Sequence, residues 1–237
     1  MIGAILKPTI NVPSVTTVHS DYRLDYLGRP FHRLTYGTIN TISLRMFDYH
    51  IGVSDAMVQL LISRGFNPQK LFSIYNGVAF PPEKPSLSRG EYLESLGVSY
   101  DEDTVVFGIA ARLNPVKDIA TLIRGFAGAC RKCPNIRLII AGDGEERQML
   151  ESLAKETCPA GSVVFAGWVK DTDSFYHAID VNMLTSLSEG APYALVEGAR
   201  MRCATIATSV GGIPYMMESG VTGLLFTPRD VETLTSY

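Results

Sequence analysis

The sequence predicts an α/β fold built on doubly wound parallel sheets, and three observations predict it. Short apolar runs rich in β-branched residues alternate with amphipathic stretches of helix length along most of the 237 residues. Several runs, Val105-Val106-Phe107-Gly108-Ile109-Ala110 among them, are apolar without a break, the mark of strands covered on both faces. Apolar residues make up 46% and charged residues 19%, which excludes disorder and leaves ample side-chain volume for a core.

In chain order, the β-branched run at 14–18 reads as a strand and the amphipathic stretch at 31–47 as a helix. Strands at 49–53 and 71–75 then bracket a helix at 55–64. The proline-rich Ala79-Phe80-Pro81-Pro82-Glu83-Lys84-Pro85-Ser86 follows a strand and reads as a linker at 79–87. Beyond it strands at 104–110, 136–141, 162–165, 181–184, 205–207 and 223–226 alternate with helices at 89–96, 119–132, 145–156, 173–178, 193–202 and 214–218. Asp230 caps the start of a further helix that runs to the end of the chain. The expected organisation is a partial Rossmann-like domain at 1–78, a linker, and a nearly complete Rossmann-like domain at 88–237. With half a sheet in front and an abrupt last helix, the chain reads as a piece of a longer two-domain protein.

The net charge of −3 and pI of about 5.8 give no global basic field, so no nucleic-acid partner is expected. The four cysteines are too few for a disulfide scaffold. Cys130-Arg131-Lys132-Cys133 falls in a helical pattern without a second ligand pair and reads as ordinary helix cysteines in a reducing compartment. The apolar opening stops at Pro8, too short for a signal or a spanning helix, and no later run of about 18 apolar residues follows. The expected location is cytoplasmic, compatible with peripheral association at the inner face of a membrane.

Two loops on one sheet edge carry chemistry. Ser186-Leu187-Ser188-Glu189-Gly190-Ala191-Pro192-Tyr193-Ala194-Leu195-Val196-Glu197 follows a strand and opens a helix, and Pro192 suits its first turn. The turn at Gly190 and Ala191 leaves N–H groups at a helix start, which favours an anion. Glu189 in the loop and Glu197 in the helix suit hydrogen bonds from sugar hydroxyls. They read equally as a capping carboxylate and a solvated one. Arg112 and Lys117, in Ala111-Arg112-Leu113-Asn114-Pro115-Val116-Lys117-Asp118 after the strand at 104–110, suit a diphosphate. Alone they read as surface cations; a helix start on the same edge strengthens the anion-binding reading.

Other features are less specific. Gly142-Asp143-Gly144 lacks the third glycine of a nicotinamide-dinucleotide fingerprint. Asp171-Thr172-Asp173 precedes a helix and reads as a cap before it reads as a metal ligand set. Gly211-Gly212 allows a ligand to approach closely or forms an ordinary turn. His19 ends a strand and is the best placed histidine; His32, His50 and His177 receive no role.

In combination these residues resemble retaining glycosyltransferases of the GT-B fold, family 4. The resemblance rests on Arg112-Leu113-x-Pro115-x-Lys117, Gly142-Asp143-Gly144, Val164-Phe165-x-Gly167, Ser188-Glu189-Gly190-x-Pro192 with Glu197, Gly211-Gly212-x-Pro214 and Gly220-x-x-Gly223-Leu224-Leu225, in the family's order. Asn76-Gly77-Val78 and His19 match its N-terminal half. The resemblance implies that Arg112 and Lys117 bind a nucleotide diphosphate, Glu197 the ribose, and Glu189 the donor sugar. It places backbone groups of Gly190, Ala191, Pro192 and Leu195 at the phosphate and sugar, Trp168 and Val169 at the base, and His19 at the donor sugar. It implies transfer from a nucleotide-diphosphate sugar to a glycan or lipid-linked acceptor by front-face displacement, with no cofactor and no metal. Ala111 stands where the family usually has glycine, Tyr215 replaces a common glutamate, and the family's glycine-rich first loop is missing. The alternatives are a catalytically impaired nucleotide-sugar-binding fragment and a nucleotide-sugar epimerase of the same fold.

Overall fold

The alternation of apolar runs and amphipathic stretches becomes, in the computed structural model, nine strands and nine α-helices among the described residues, which are 7, 12–21, 23–24, 30–80 and 85–237. Most of the apolar opening segment, the linker residues 81–84 and the His32 side chain lie outside them. Contacts divide the chain into two units. One takes residues 1–76, 188–192 and 210–216; the other takes 77–187, 193–209 and 217–237. The glutamates of the motif therefore fall in different units, Glu189 in the first and Glu197 in the second.

The first unit holds a parallel three-stranded sheet in the order β1 (Val15–Val18), β2 (Tyr49–Gly52), β3 (Leu71–Ser73). The connections carry helices α1 (Pro30–Arg45) and α2 (Asp55–Ser63). Met57 and Leu61 of α2 pack on Val18 and Leu71. Ser54 caps that helix, its hydroxyl accepting from the Met57 N–H at 3.2 Å. A short 3-10 turn, Pro68–Lys70, leads into β3 and was not expected from the periodicity. The short helix α8 (Ile213–Met216) also belongs here.

The second unit holds six parallel strands: β4 (Val105–Ala110), β5 (Ile136–Ala141), β6 (Val163–Gly167), β7 (Val181–Leu184), β8 (Ala204–Thr208) and β9 (Leu224–Phe226). Their order across the sheet is β6-β5-β4-β7-β8-β9, the doubly wound order, which reverses between β4 and β7. Helices α3 (Arg89–Ser95), α4 (Ile119–Cys130), α5 (Arg147–Thr157), α6 (Thr172–Ala178), α7 (Tyr193–Arg200) and α9 (Val231–Ser236) complete it. The unbroken apolar run of β5 is explained by its two faces. Leu138 and Ile140 join one core cluster with Ile123, Phe126 and Leu150, while Ile139 and Ala141 join another with Val106, Phe175 and Tyr176.

Several helices end one or two residues earlier than the periodicity predicts, α4 and α7 among them. Helix α4 stops at Cys130, and the N–H groups of Lys132 and Cys133 both donate to the Ala129 carbonyl ahead of Pro134, which disfavours helix before it. Cys133 is exposed beyond the helix, so the CxxC spacing does not lie within one helix as expected. Helix α7 stops at Arg200. Arg202 adopts a left-handed φ of 64°, and the Cys203 N–H donates back to Gly198 O at 2.9 Å, closing the helix two residues before the expected end. The last helix forms as expected. Asp230 accepts from the Thr233 N–H at 2.9 Å, and Leu234 packs where a side chain at Gly125 would stand.

Candidate functional site

The reversal of strand order sets the location. In a doubly wound sheet the loops leaving the carboxyl ends of the strands on either side of the switch diverge to opposite faces and leave a crevice. Here those are the loops after β4 and β7, and they are tied together. The Leu187 N–H donates to Val116 O at 2.7 Å, and the Thr185 hydroxyl donates to Lys117 O at 2.9 Å. The β4 loop is also bound to the loop after β5: the Leu113 N–H donates to Asp143 O at 3.0 Å and the Glu146 N–H to Leu113 O at 3.1 Å.

These close approaches explain Gly142-Asp143-Gly144. Gly142 has φ +136°, and a Cβ there would stand 1.8 Å from the Ala111 carbonyl oxygen; one at Gly144 would stand 2.2 Å from that of Leu113. The glycines are needed so that the loop carrying Arg112 can lie flat against the next one. The first unit repeats the device. A Cβ at Gly211 would meet Glu189 O at 1.8 Å, and one at Gly212 would meet Gly190 O at 1.8 Å. The Gly211-Gly212 pair thus serves approach to the chain's own Glu189-Gly190 turn. Gly190 in turn faces the His19 carbonyl, 2.2 Å from where its Cβ would be, and Asn76 donates to Ala191 O at 2.7 Å.

Within the second unit a cavity of about 300 Å³ opens at the carboxyl ends of β4, β5 and β6. Arg112 enters from the β4 loop, Ala141 and Gly142 from the end of β5, and Trp168 and Val169 from the segment after β6. Thr172 and Phe175 come from α6 and Glu197 from α7. Four residues singled out in the sequence, Arg112, Trp168, Val169 and Glu197, therefore line one space. No side-chain hydrogen bond or ion pair engages the Arg112 guanidinium among the described residues. Trp168, the one tryptophan of the chain, is 75% exposed beside it. Lys117 does not line this cavity; its N–H donates to Asn114 O and its carbonyl accepts from Thr185. Leu195 is buried, so only its backbone is available to a ligand, and Pro192 directly precedes α7 instead of lying in its first turn. Glu189, Gly190, Ala191, Pro192 and His19 belong to the first unit.

Thr172 and Phe175 were given no binding role in the sequence reading, and Gly142 was read only as part of a glycine-containing loop. An apolar side chain on a short helix looks the same whether it faces a core or a ligand. Asp171 is the cap it was expected to be, accepting from the Ser174 N–H at 3.0 Å, and its hydrogen bonds to Ser174 and Ser86 hold its carboxyl below the usual aspartate range. A second cavity of about 320 Å³ lies along the outer edge strand β6, between Lys155, Cys158 and Phe165. It is slightly larger but sits away from the switch point, on no strand's carboxyl end.

Residues 97–237 match the family model described as Glycosyl transferases group 1, and residues 1–80 match that described as Glycosyltransferase Family 4. The chain belongs to the group 1 glycosyl transferases. This group 1 chain is 29% identical to an uncharacterised glycosyltransferase of Methanocaldococcus jannaschii, over 98% of its own length and 61% of the relative's. It is 28% identical to the D-inositol 3-phosphate glycosyltransferase of Mycobacterium ulcerans, over 77% of its length and 39% of that protein's. Among solved structures, HepE of Anabaena in complex with UDP-glucose superposes with a TM-score of 0.84 at 25% identity, covering 99% of this chain and 64% of HepE. Sucrose-phosphate synthase of Thermosynechococcus elongatus gives 0.82 at 22% identity over 99% and 60% of the two chains. The α/β fold with parallel sheets is that of GT-B glycosyltransferases. The group 1 chain spans less than two thirds of the length of each of these relatives. No helix among the described residues is long and apolar enough to cross a membrane.

Proposed function

We propose that this chain carries the donor-binding half of a retaining glycosyltransferase that moves a sugar from a nucleotide-diphosphate sugar to a glycan or lipid-linked acceptor. The observation that carries the reading is that Arg112, Trp168, Val169 and Glu197 together line one cavity at the strand-order switch. Its volume lies at the small end of the ~300–1,000 Å³ found for small-molecule sites. That suits a base and ribose, with the diphosphate lying toward the helix start.

In this reading Trp168 and Val169 hold the base and the Glu197 carboxylate accepts hydrogen bonds from the ribose hydroxyls. Arg112 and Lys117 hold the diphosphate with backbone groups of Gly190, Ala191, Pro192 and Leu195, while Glu189 and His19 serve the donor sugar. The acceptor oxygen bonds to the anomeric carbon on the face from which the phosphate leaves. The acceptor proton passes to a phosphate oxygen, and the carbon–oxygen bond to the diphosphate breaks. In this reading Arg112 holds the charge that grows on that leaving group, which is where electrostatic stabilisation acts. The reaction so read uses no metal and no separate base. UDP-glucose is the first donor to try, because HepE is solved with it.

The test is ligand-dependent thermal shift against a panel of nucleotide-diphosphate sugars, followed by product analysis with the donors that bind. One or two donors should raise the melting temperature, and Arg112→Ala and Glu197→Ala should each reduce that rise. A panel without any stabilising member removes the donor-site reading. Binding without transfer restricts the chain to binding. A donor returned with one inverted sugar centre identifies an epimerase.

A further inference from the structure

Below the cavity, the contact between α6 and α7 is polar where most of the second unit's interior is apolar. Asp173 of α6 pairs with Arg200 of α7, with side chains only 16% and 11% exposed. Tyr176 stands one turn along α6 from Asp173, and Glu197 one turn back on α7 from Arg200, so each lies on the face that its own helix turns to the other. Tyr176 is fully buried, and its hydroxyl has no partner of hydrogen-bonding geometry among the described residues. Its ring is held edge-on by Phe175 at 5.0 Å, and its carbonyl accepts from the Cys203 thiol at 3.1 Å. Burial first, and then the Glu197 carboxylate, push the phenol well above the usual tyrosine range. A buried hydroxyl left without an acceptor costs on the order of 1–3 kcal/mol, so the site favours any small shift of the carboxylate toward it.

Resting on the donor-site reading above, we propose that Tyr176 is a positioning residue: its O–H donates to one oxygen of Glu197 and leaves the other aimed into the cavity for the ribose hydroxyls. The Asp173–Arg200 pair fixes the separation of the two helices, so a small shift of the Glu197 carboxylate brings it to the hydroxyl with the cavity empty or filled. Phenylalanine at 176 keeps the ring packing and removes only the donor.

The experiment compares UDP with its 2′,3′-dideoxy analogue, binding being read from Trp168 fluorescence in wild type, Tyr176→Phe, Glu197→Ala and the double variant. Loss of one net hydrogen bond of about 0.5–1.5 kcal/mol predicts about a two- to thirteenfold weaker UDP complex in Tyr176→Phe. The dideoxy analogue should bind wild type and Tyr176→Phe equally, and Tyr176→Phe should add no further loss on top of Glu197→Ala. A purely structural tyrosine would weaken both nucleotides alike, or neither, and either outcome overturns the proposal. A Tyr176→Phe and Glu197→Gln double-mutant cycle on urea unfolding of the ligand-free protein supplies the second arm. Non-additive effects are expected, and additive ones overturn the contact itself. Non-additive unfolding in a protein that binds neither nucleotide overturns the nucleotide reading and the positioning role with it, while leaving the contact standing.

Discussion

Gly142 and Gly161 both hold φ values that ordinary residues avoid, +136° and +76°, yet they differ in what surrounds them. Nothing lies within 4 Å of a Cβ at Gly161, whereas at Gly142 it would collide with the Ala111 carbonyl. Alanine at 161 should therefore cost about 1 kcal/mol, the backbone strain alone. At 142 the loop must move as well, and a loss of about 3 kcal/mol or more is expected. Urea unfolding of the two variants measures the difference, and equal losses would show that the packing of the β4 and β5 loops is not what Gly142 serves. Arg112 offers a companion test. Its planar fork is matched to phosphate oxygens, so Arg112→Lys should weaken nucleotide-diphosphate binding several-fold although the charge is kept, and Arg112→Ala by about 10- to 100-fold, for a charge-assisted bond of about 1.5–3 kcal/mol. Calorimetric titration checks both. At this scale the sequence was most legible where a residue type has few other uses. Arg112, Trp168, Val169 and Glu197 do meet in one space. Tyr176, Thr172 and Phe175 were illegible because a helical side chain's direction depends on how the helix docks, and no local spacing states that.

At the scale of elements, strands were read with small end errors because coverage on both faces leaves a distinctive unbroken apolar run. β5 and β7 lie where expected, at Ile136–Ala141 and Val181–Leu184. Helix ends were harder, since they depend on single backbone conformations such as Arg202 in the left-handed region or the residue before Pro134. The caps carry a prediction of their own. Ser54 is fully buried and its hydroxyl satisfies the Met57 N–H at the start of α2. Ser54→Ala should destabilise the protein by about 1 kcal/mol, within the ~0.5–2 kcal/mol range for lost caps, as read from the denaturation midpoint. Ser54→Asp, which keeps an acceptor, should recover less than a cap normally does, because the Ser54 side chain stands 2.9 Å from where a Cβ at Gly212 would be and leaves little room.

For the molecule as a whole, the paired carboxylates set the response to acid. The Lys7 ammonium first, and then Ser14, hold Asp48 far below its ordinary value; Asn135 and Thr104 do the same for Asp101, Ser174 and Ser86 for Asp171, and Thr233 for Asp230. The unfolded chain takes up protons at these sites near pH 4 while the folded chain resists them. Their contribution is thus present above pH 4 and lost as the pH falls below it. Glu146, raised by burial and by Asp118, opposes this in part. On the alkaline side burial pushes the Cys203 thiol up to about 11 and the Tyr92 phenol up to about 12, from ordinary values of 9.0 and 10.0. Their contribution is complete below pH 9 and lost as the pH rises through those values. Urea midpoints measured from pH 3 to 11 should form a plateau between about 5 and 8.5 that falls on both sides; a midpoint still rising at pH 10 would contradict the alkaline limb.

The account depends most on the cavity that Arg112, Trp168, Val169 and Glu197 share, and the chain carries its own probe there, since its single tryptophan lines that wall and stands 75% exposed. Titrating the wild-type protein with UDP while following Trp168 emission should give a saturable change that Arg112→Ala and Glu197→Ala both shift to higher concentration. Emission that stays flat in the wild type, while calorimetry still registers UDP binding, would put the nucleotide elsewhere on the molecule and contradict the assignment.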